Sequence, residues 1–231
     1  MDNPNAWRAQ LAHGQWFKQL PVAVQDSLLG LARARELAAG QRLFQRGDPP
    51  CGLYAVLAGA MRVGAVNSDG KEALLTLVES PYWFGEISLF DGQPRTHDAF
   101  AEGPTQLLWV PQAALLDWLE HHPQHWRDLA LLMSHKLRRM FVALEQQHLL
   151  AAAPRVAHRL LEIAEGYGER DVPQWRLQLS QEQLALMLSL SRQTINQILK
   201  NLEQAGVVRL AYGEVLILDA LRLREMALQT L

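Results

Sequence analysis

The segment "YWFGEISLFDGQPRTHDAF", residues 82–100, sets Gly85 beside Glu86, makes a Gly-Gln-Pro turn at 92–94, and then places Arg95 next to Thr96. An arginine and a hydroxyl just past a turn, in a stretch otherwise suited to packing, are chemistry for an anion. The guanidinium offers a planar fork of donors matched to phosphate or carboxylate oxygens. A second candidate lies toward the other end of the chain. In "LSRQTINQILKNLEQAGVV", Ser191, Arg192, Gln193, Asn196, Gln197 and Lys200 fall on the outward face of one helix. Arg, Gln and Asn can pair bidentately with guanine or adenine edges, and lysine suits phosphate. A stripe rich in Gln and Asn and poor in Glu–Lys pairs differs from an ordinary solvated face.

Other chemistries find less support. Cys51 is the one cysteine. It reads as a structural thiol in a turn leading into a strand, and it excludes a disulfide framework or an iron–sulfur cluster. Of eight histidines, His121, His122 and His125 read as a solvated helix–loop corner. His135 and His148 read as exposed on a long helix, and no histidine stands out as a haem ligand. His97, beside Arg95-Thr96, is a ligand contact, a pocket-closing donor or a surface residue. No Gly-x-Ser-x-Gly, Walker loop or Cys/His pair in a plausible context occurs, so no catalytic residue and no metal site is expected.

The elements that must position these residues follow from patterning. A chain of 231 residues that is 49% apolar suits two domains. Residues 5–35 read as short helices. From 36 to 110, short β-prone runs alternate with Gly/Pro/Asp turns, Asp69-Gly70 being a hairpin signal; together they predict a small β-barrel or roll. Pro111 opens a helix. Residues 123–151 form one long helical stretch with a seam at Trp126, Ala130, Met133, Leu137, Met140, Leu144, Gln147 and Ala151. That is coiled-coil spacing, so a homodimer is expected; a helix packed on its own domain is the alternative. Pro154 opens a new helix, with the boundary at 151–154. Ser180 and Gln183 form a capping box before the stripe Leu184, Ala185 and Leu188. After a short break Ser191 caps a helix whose buried face is Ile195, Ile198, Leu199 and Leu202, and Gly206 stops it. "VVRLAYGEVLILD" reads as a two-stranded wing turning at Tyr212-Gly213. The whole is α+β, with domains at 1–122, 123–153 and 154–231.

Helix, turn, helix and hairpin make a winged helix-turn-helix, so double-stranded DNA is the expected partner. Net charge is −2 with pI about 6.4, and residues 154–231 carry nine Lys/Arg against nine Asp/Glu. Non-specific affinity should therefore be modest and dimerisation important. No run of 18 apolar residues and no signal-peptide pattern occurs, so a cytoplasmic protein away from membranes is expected.

This order of β-roll, long helix and winged helix-turn-helix resembles the cyclic AMP receptor protein / fumarate-nitrate reduction regulator (CRP/FNR) family over nearly the whole chain. "FGEISLFDGQPRT" is similar to its phosphate-binding cassette and "LSRQTINQILKNLEQAGVV" to its recognition helix. The resemblance implies an N-terminal cyclic-nucleotide-binding-like roll and a long coiled-coil dimerisation helix. It also implies an effector-responsive transcription regulator acting on a two-fold operator, with RNA polymerase as a further partner. It places a cyclic nucleotide or other small anionic effector against Gly85, Glu86, Ile87, Ser88, Arg95 and Thr96. In that pattern the glutamate accepts from the ribose 2′-hydroxyl, while the arginine and hydroxyl donate to the phosphate. Where cyclic-AMP-binding members carry a Thr-Ser pair against adenine, this chain has Met140-Phe141. His97-Asp98 and the pair Gln193 and Gln197 also depart from that pattern. Three readings stay open: an effector-responsive regulator, an effector-independent regulator in which Arg95 pairs with Glu86 or Asp98, and a nucleotide-binding signalling module without DNA function.

Overall fold

The computed structural model describes residues 4–66, 69–70 and 72–228. By contact it divides into two units: the chain up to Ala65 with Thr76–Arg138 and Glu169–Asp171, and Val66–Leu75 with Arg139–Gly168 and the chain from Val172 on. In order the first elements are α1 (Pro4–Leu11), α2 (Gln15–Gln19), α3 (Val22–Leu31), β1 (Arg33–Leu37), β2 (Arg42–Phe44), β3 (Gly52–Ala58), β4 (Ala60–Val66), β5 (Glu72–Glu79), β6 (Trp83–Phe84), α4 (Ile87–Asp91), β7 (Asp98–Ala101), β8 (Thr105–Pro111), α5 (Gln112–His121) and α6 (Trp126–Leu149). Two four-stranded sheets form the roll, ordered β1-β8-β3-β6 and β2-β7-β4-β5. Of the expected hairpin turn between β4 and β5, Asp69 and Gly70 are described, while Asn67, Ser68 and Lys71 lie outside the described residues. So do residues 1–3, on which part of the signal-peptide reading rests.

The helices before the roll form as expected, and Leu11, Phe17, Val24 and Leu28 are fully buried. They share a core with Leu53, Leu108, Leu115, Leu129 and Leu132. Trp83 anchors that core: Phe17 stacks on it at 5.7 Å and Trp16 meets it edge-on at 5.4 Å. The expected helical run to residue 35 ends early, because Arg33 already opens β1. "ARAREL" is made of helix formers, yet it pairs antiparallel with β8, Arg33 opposite Trp109 and Leu37 opposite Thr105. The Arg35 guanidinium lies 4.6 Å from the Trp109 ring centre. Ladder hydrogen bonds and this cation–π contact outweigh a local preference worth tenths of a kcal/mol per residue.

Helix α6 packs on the core near its N-terminal end and exposes apolar side chains farther along. Leu129 and Leu132 are buried in the core, and Trp126, expected on the seam, packs instead against Phe90 at 5.4 Å and the core's edge. Of the other expected seam positions, Leu137, Met140 and Leu144 are 44–62% exposed at spacings of three and four, as is neighbouring Phe141. His148 is exposed as expected, whereas His135 is half-buried. Leu150 and Ala151 leave helical geometry, Ala151 taking φ −63° and ψ 167°.

Then come α7 (Ala152–Ala164), β9 (Arg176–Gln178), α8 (Gln181–Leu188), α9 (Arg192–Gln204), β10 (Val208–Ala211), β11 (Glu214–Ile217) and α10 (Ala220–Leu228). The expected two-stranded wing has a third member, the sheet order being β10-β11-β9. Leu177 of β9 pairs with Val215. β9 is only three residues long; Trp175, Leu177 and Leu179 alternate with polar neighbours around it, a strand signal that its brevity hid.

Candidate functional site

Strand β6 delivers Gly85 with φ +97°, and the chain turns there into α4. A Cβ at this position would meet the Gly52 carbonyl oxygen at 2.9 Å and Arg95 Nη1 at 3.0 Å. Glycine is therefore required twice over, for its backbone angle and for the guanidinium lying against it. Arg95 is 4% exposed. Its Nη1 donates to the Gly85 carbonyl at 2.8 Å and its Nη2 to the Gly52 carbonyl at 2.6 Å. The guanidinium carbon stands 4.5 Å from the Phe44 ring centre and 5.8 Å from that of Tyr54. Its Nε is buried and has no acceptor.

Among the described residues no carboxylate pairs with this cation. Glu86, 3% exposed, is taken by Lys136 of α6, whose Nζ donates to Oε2 at 2.7 Å and to the Trp83 carbonyl at 2.7 Å. Asp98 accepts instead from the Arg46 backbone N–H at 2.7 Å. The pairing of Arg95 with Glu86 or Asp98 that the effector-independent alternative invoked is not formed among the described residues. Lys136 is the functional residue that sequence reasoning missed: one lysine beside a helix seam looks like a solvated flank, and only the fold brings it to a carboxylate fifty positions away. Lys136→Ala would strand a buried carboxylate. The expected cost is about 2–4 kcal/mol, read as a lowered Tm, with much of the loss recovered when Glu86→Gln is added.

The other cassette residues sit around this pair. Ile87 is 42% exposed and Ser88 is buried, both at the start of α4. Thr96 is exposed, its Oγ1 2.9 Å from His97 Nδ1. Burial, and then the charge of Arg46, holds His97 below the ordinary imidazole range. Met140 and Phe141 belong to the second unit and are 62% and 61% exposed.

In the second unit the helix-turn-helix is built as its sequence requires. Ser180 Oγ accepts from the Gln183 N–H at 3.1 Å, and Gln183 Oε1 accepts from the Ser180 N–H at 2.8 Å. Ser191 Oγ accepts from the Thr194 N–H at 3.0 Å and starts α9. Ile195, Leu199 and Leu202 are buried, while Ile198 is only partly so. Gly206, at φ +72°, closes the helix with a Schellman motif: its own N–H reaches the Glu203 carbonyl at 2.9 Å, and the Val207 N–H reaches Leu202 at 2.9 Å. This orientation leaves Ser191, Arg192, Gln193, Gln197 and Lys200 exposed and Asn196 half-exposed, as one polar face. Gln197 Nε2 bonds Asn201 Oδ1 at 2.9 Å along that face. The turn between β10 and β11 is Tyr212-Gly213, with Ala211 paired to Glu214 and Tyr212 fully exposed at the tip.

Comparison with known proteins follows the same division. The model of the cyclic nucleotide-binding domain matches residues 34–122, and that of the Crp-like helix-turn-helix domain matches residues 154–226. A CRP-like cAMP-activated global transcriptional regulator of Mycobacterium tuberculosis is 32% identical, covering 94% of this chain and 98% of the relative. The chain belongs to the CRP/FNR family. A cyclic AMP receptor protein of Thermus thermophilus is 31% identical over 91% of this chain and 95% of its own. Among solved structures, a CRP/FNR-family transcriptional regulator of Thermus thermophilus superposes with TM-score 0.68 at 26% identity, covering 86% of this chain and 100% of that one. FixK2 of Bradyrhizobium japonicum shares the fold, with TM-score 0.76 at 20% identity over 87% of this chain and 99% of its own.

As a CRP/FNR-family member the protein is a DNA-binding transcription regulator with a cyclic nucleotide-binding domain, and not an enzyme. No helix among the described residues is long and apolar enough to cross a membrane. The histidine corner is a ring stack: His122 and His125 lie 4.9 and 5.3 Å from Trp118, and His125 Nδ1 is 2.8 Å from Asp128. Among the described residues no group of three His, Cys, Asp or Glu is arranged to hold a metal ion.

Proposed function

We propose that the protein is a homodimeric regulator whose DNA binding responds to a small anionic effector, a cyclic nucleotide being the first candidate, held at Arg95. The observation that carries this reading is the buried guanidinium that has, among the described residues, no carboxylate partner and no acceptor for its Nε. An uncompensated cation inside a protein is costly, and a phosphate reaching it would supply the missing charge through charge-assisted bonds. Gly85 and the amides of Ile87 and Ser88 allow close main-chain approach to the sugar-phosphate, and exposed Thr96 adds a hydroxyl donor. Glu86 accepts from the ribose hydroxyl while Lys136 holds its carboxylate, so the effector is tied to α6. Where the family pattern has a Thr-Ser pair against adenine this chain has Met140-Phe141, side chains with no hydrogen bond to offer a base, which predicts weak discrimination between adenine and guanine. The Mycobacterium tuberculosis relative is named as cAMP-activated, which supports the nucleotide class. Titration calorimetry with cyclic AMP and cyclic GMP tests it: heat with either, of similar affinity, is expected. No heat with both would leave the effector-independent regulator.

In this reading residues 1–122 sense, 123–153 join two subunits, and 154–231 read DNA. The non-helical break at Leu150–Ala151 serves as the hinge that sets the spacing of two recognition helices on a two-fold operator. RNA polymerase is the downstream partner, in the cytoplasm. Arg192→Ala is expected to cost roughly 1–3 kcal/mol per half-site and to relax base preference there. Lys200→Ala should instead weaken all sequences alike and reduce the salt slope by about one. Quantitative footprinting on a selected operator separates the two, and unchanged binding by Arg192→Ala would remove that residue from the interface.

A further inference from the structure

Cys51 immediately precedes β3, and its sulfur lies inside the donor shell of Arg95. Arg95 Nη2 is 3.0 Å from Sγ, and the Tyr54 hydroxyl donates to the same sulfur at 3.2 Å. Burial, and then that bond to Cys51, pushes the Tyr54 hydroxyl well above the usual phenol range, so it remains a donor. Among the described residues this sulfur is the only ionisable group bonded to the guanidinium. The guanidinium itself is 4% exposed with its Nε unsatisfied. Cys51 is free and only partly buried. Arg95 Nη2 and the Tyr54 hydroxyl thus converge as two donors on one free sulfur beside a buried cation.

We propose that Cys51 is a modification site for hydroperoxides, and that its oxidised sulfur fills the anion position at Arg95. The sulfur attacks one peroxide oxygen. An S–O bond forms while the O–O bond breaks, the sulfur is oxidised by two electrons, and the other oxygen leaves with the thiol proton as water or an alcohol. The new sulfenic oxygen projects from a sulfur already bonded by Arg95 and Tyr54, and it takes up donors that an entering phosphate needs. The competition rests on the anion-binding reading above; the modification does not.

Because the chain has one cysteine, intact mass reports Cys51 directly. The full chain is treated with stoichiometric hydrogen peroxide and dimedone, with cyclic AMP absent or saturating. Labelling at least tenfold faster than that of free cysteine is expected. It should slow at least tenfold in Arg95→Gln and several-fold in Tyr54→Phe, the second variant serving if the first does not fold. Saturating cyclic AMP should protect, and oxidised protein should bind it at least tenfold more weakly, an effect absent in Cys51→Ser. Labelling no faster than free cysteine, or indifferent to Tyr54 and Arg95, overturns the site. Arg95-dependent labelling without any cyclic AMP binding leaves the site standing and removes the nucleotide reading. Equal cyclic AMP affinity before and after oxidation overturns the competition and leaves the nucleotide reading intact.

Discussion

An Arg95→Ala protein is expected to bind cyclic AMP at least about 100-fold more weakly than the wild type. The expectation follows from what the guanidinium would do for a phosphate in a desolvated site. Truncating one partner of a buried, hydrogen-bonded charge pair costs about 3–5 kcal/mol, and each ~1.4 kcal/mol is a tenfold change in affinity. The same side chain also bonds the carbonyls of Gly85 and Gly52. Its removal leaves two acceptors unmet and should lower stability by about 1–3 kcal/mol. Calorimetry must therefore be read beside a melting curve. Arg95→Lys keeps a charge and loses the fork, so it should fold better than Arg95→Ala and still bind weakly. Unchanged affinity in a folded Arg95→Ala protein would show that the pocket does not read an anion through this residue.

The second large effect is expected from Leu137→Glu combined with Leu144→Glu. Both leucines lie seven residues apart on α6 and are 44% and 50% exposed, flanking Met140 and Phe141. Fully burying a leucine is worth about 1.5–3 kcal/mol. A shared seam would thus gain several kcal/mol from four of them, and the same positions filled with carboxylates would repel. Light scattering should return the mass of one subunit, 26.1 kDa, with an unchanged circular dichroism spectrum, because Leu129 and Leu132, which hold α6 to the core, are untouched. Operator affinity should fall by roughly 100-fold or more as the second half-site loses its effective concentration. A double variant that still has twice the subunit mass would place the dimer contact elsewhere.

Much of the second unit was legible in advance because its signals are local. A serine accepts an N–H three residues on, a glycine takes a left-handed angle at the end of α9, and buried positions recur every three or four residues. Each is decided within a turn of helix. The same locality made the cassette readable as a motif, since Gly85 and Arg95 are separated by one short helix and one turn. Locality also explains the misses. The helix-forming residues 33–37 became a strand only because β8 offers a ladder to them. Trp126 left the seam because Phe90 and the core lie on its side of α6. β9 escaped notice because only three residues, Arg176–Gln178, pair with β11.

By itself, then, the sequence determined the order of the main elements, the caps of the recognition helix, the polar face it presents and the glycine beside the arginine. All of these depend on neighbours within a few residues. Only the tertiary structure decided the charge balance around Arg95, because electrostatic pairing depends on distance in space and not along the chain. Lys136 arrives at Glu86 from fifty residues away, Arg46 takes Asp98 through its backbone, and Cys51 arrives from forty-four residues upstream as the remaining neighbour of a cation without a carboxylate.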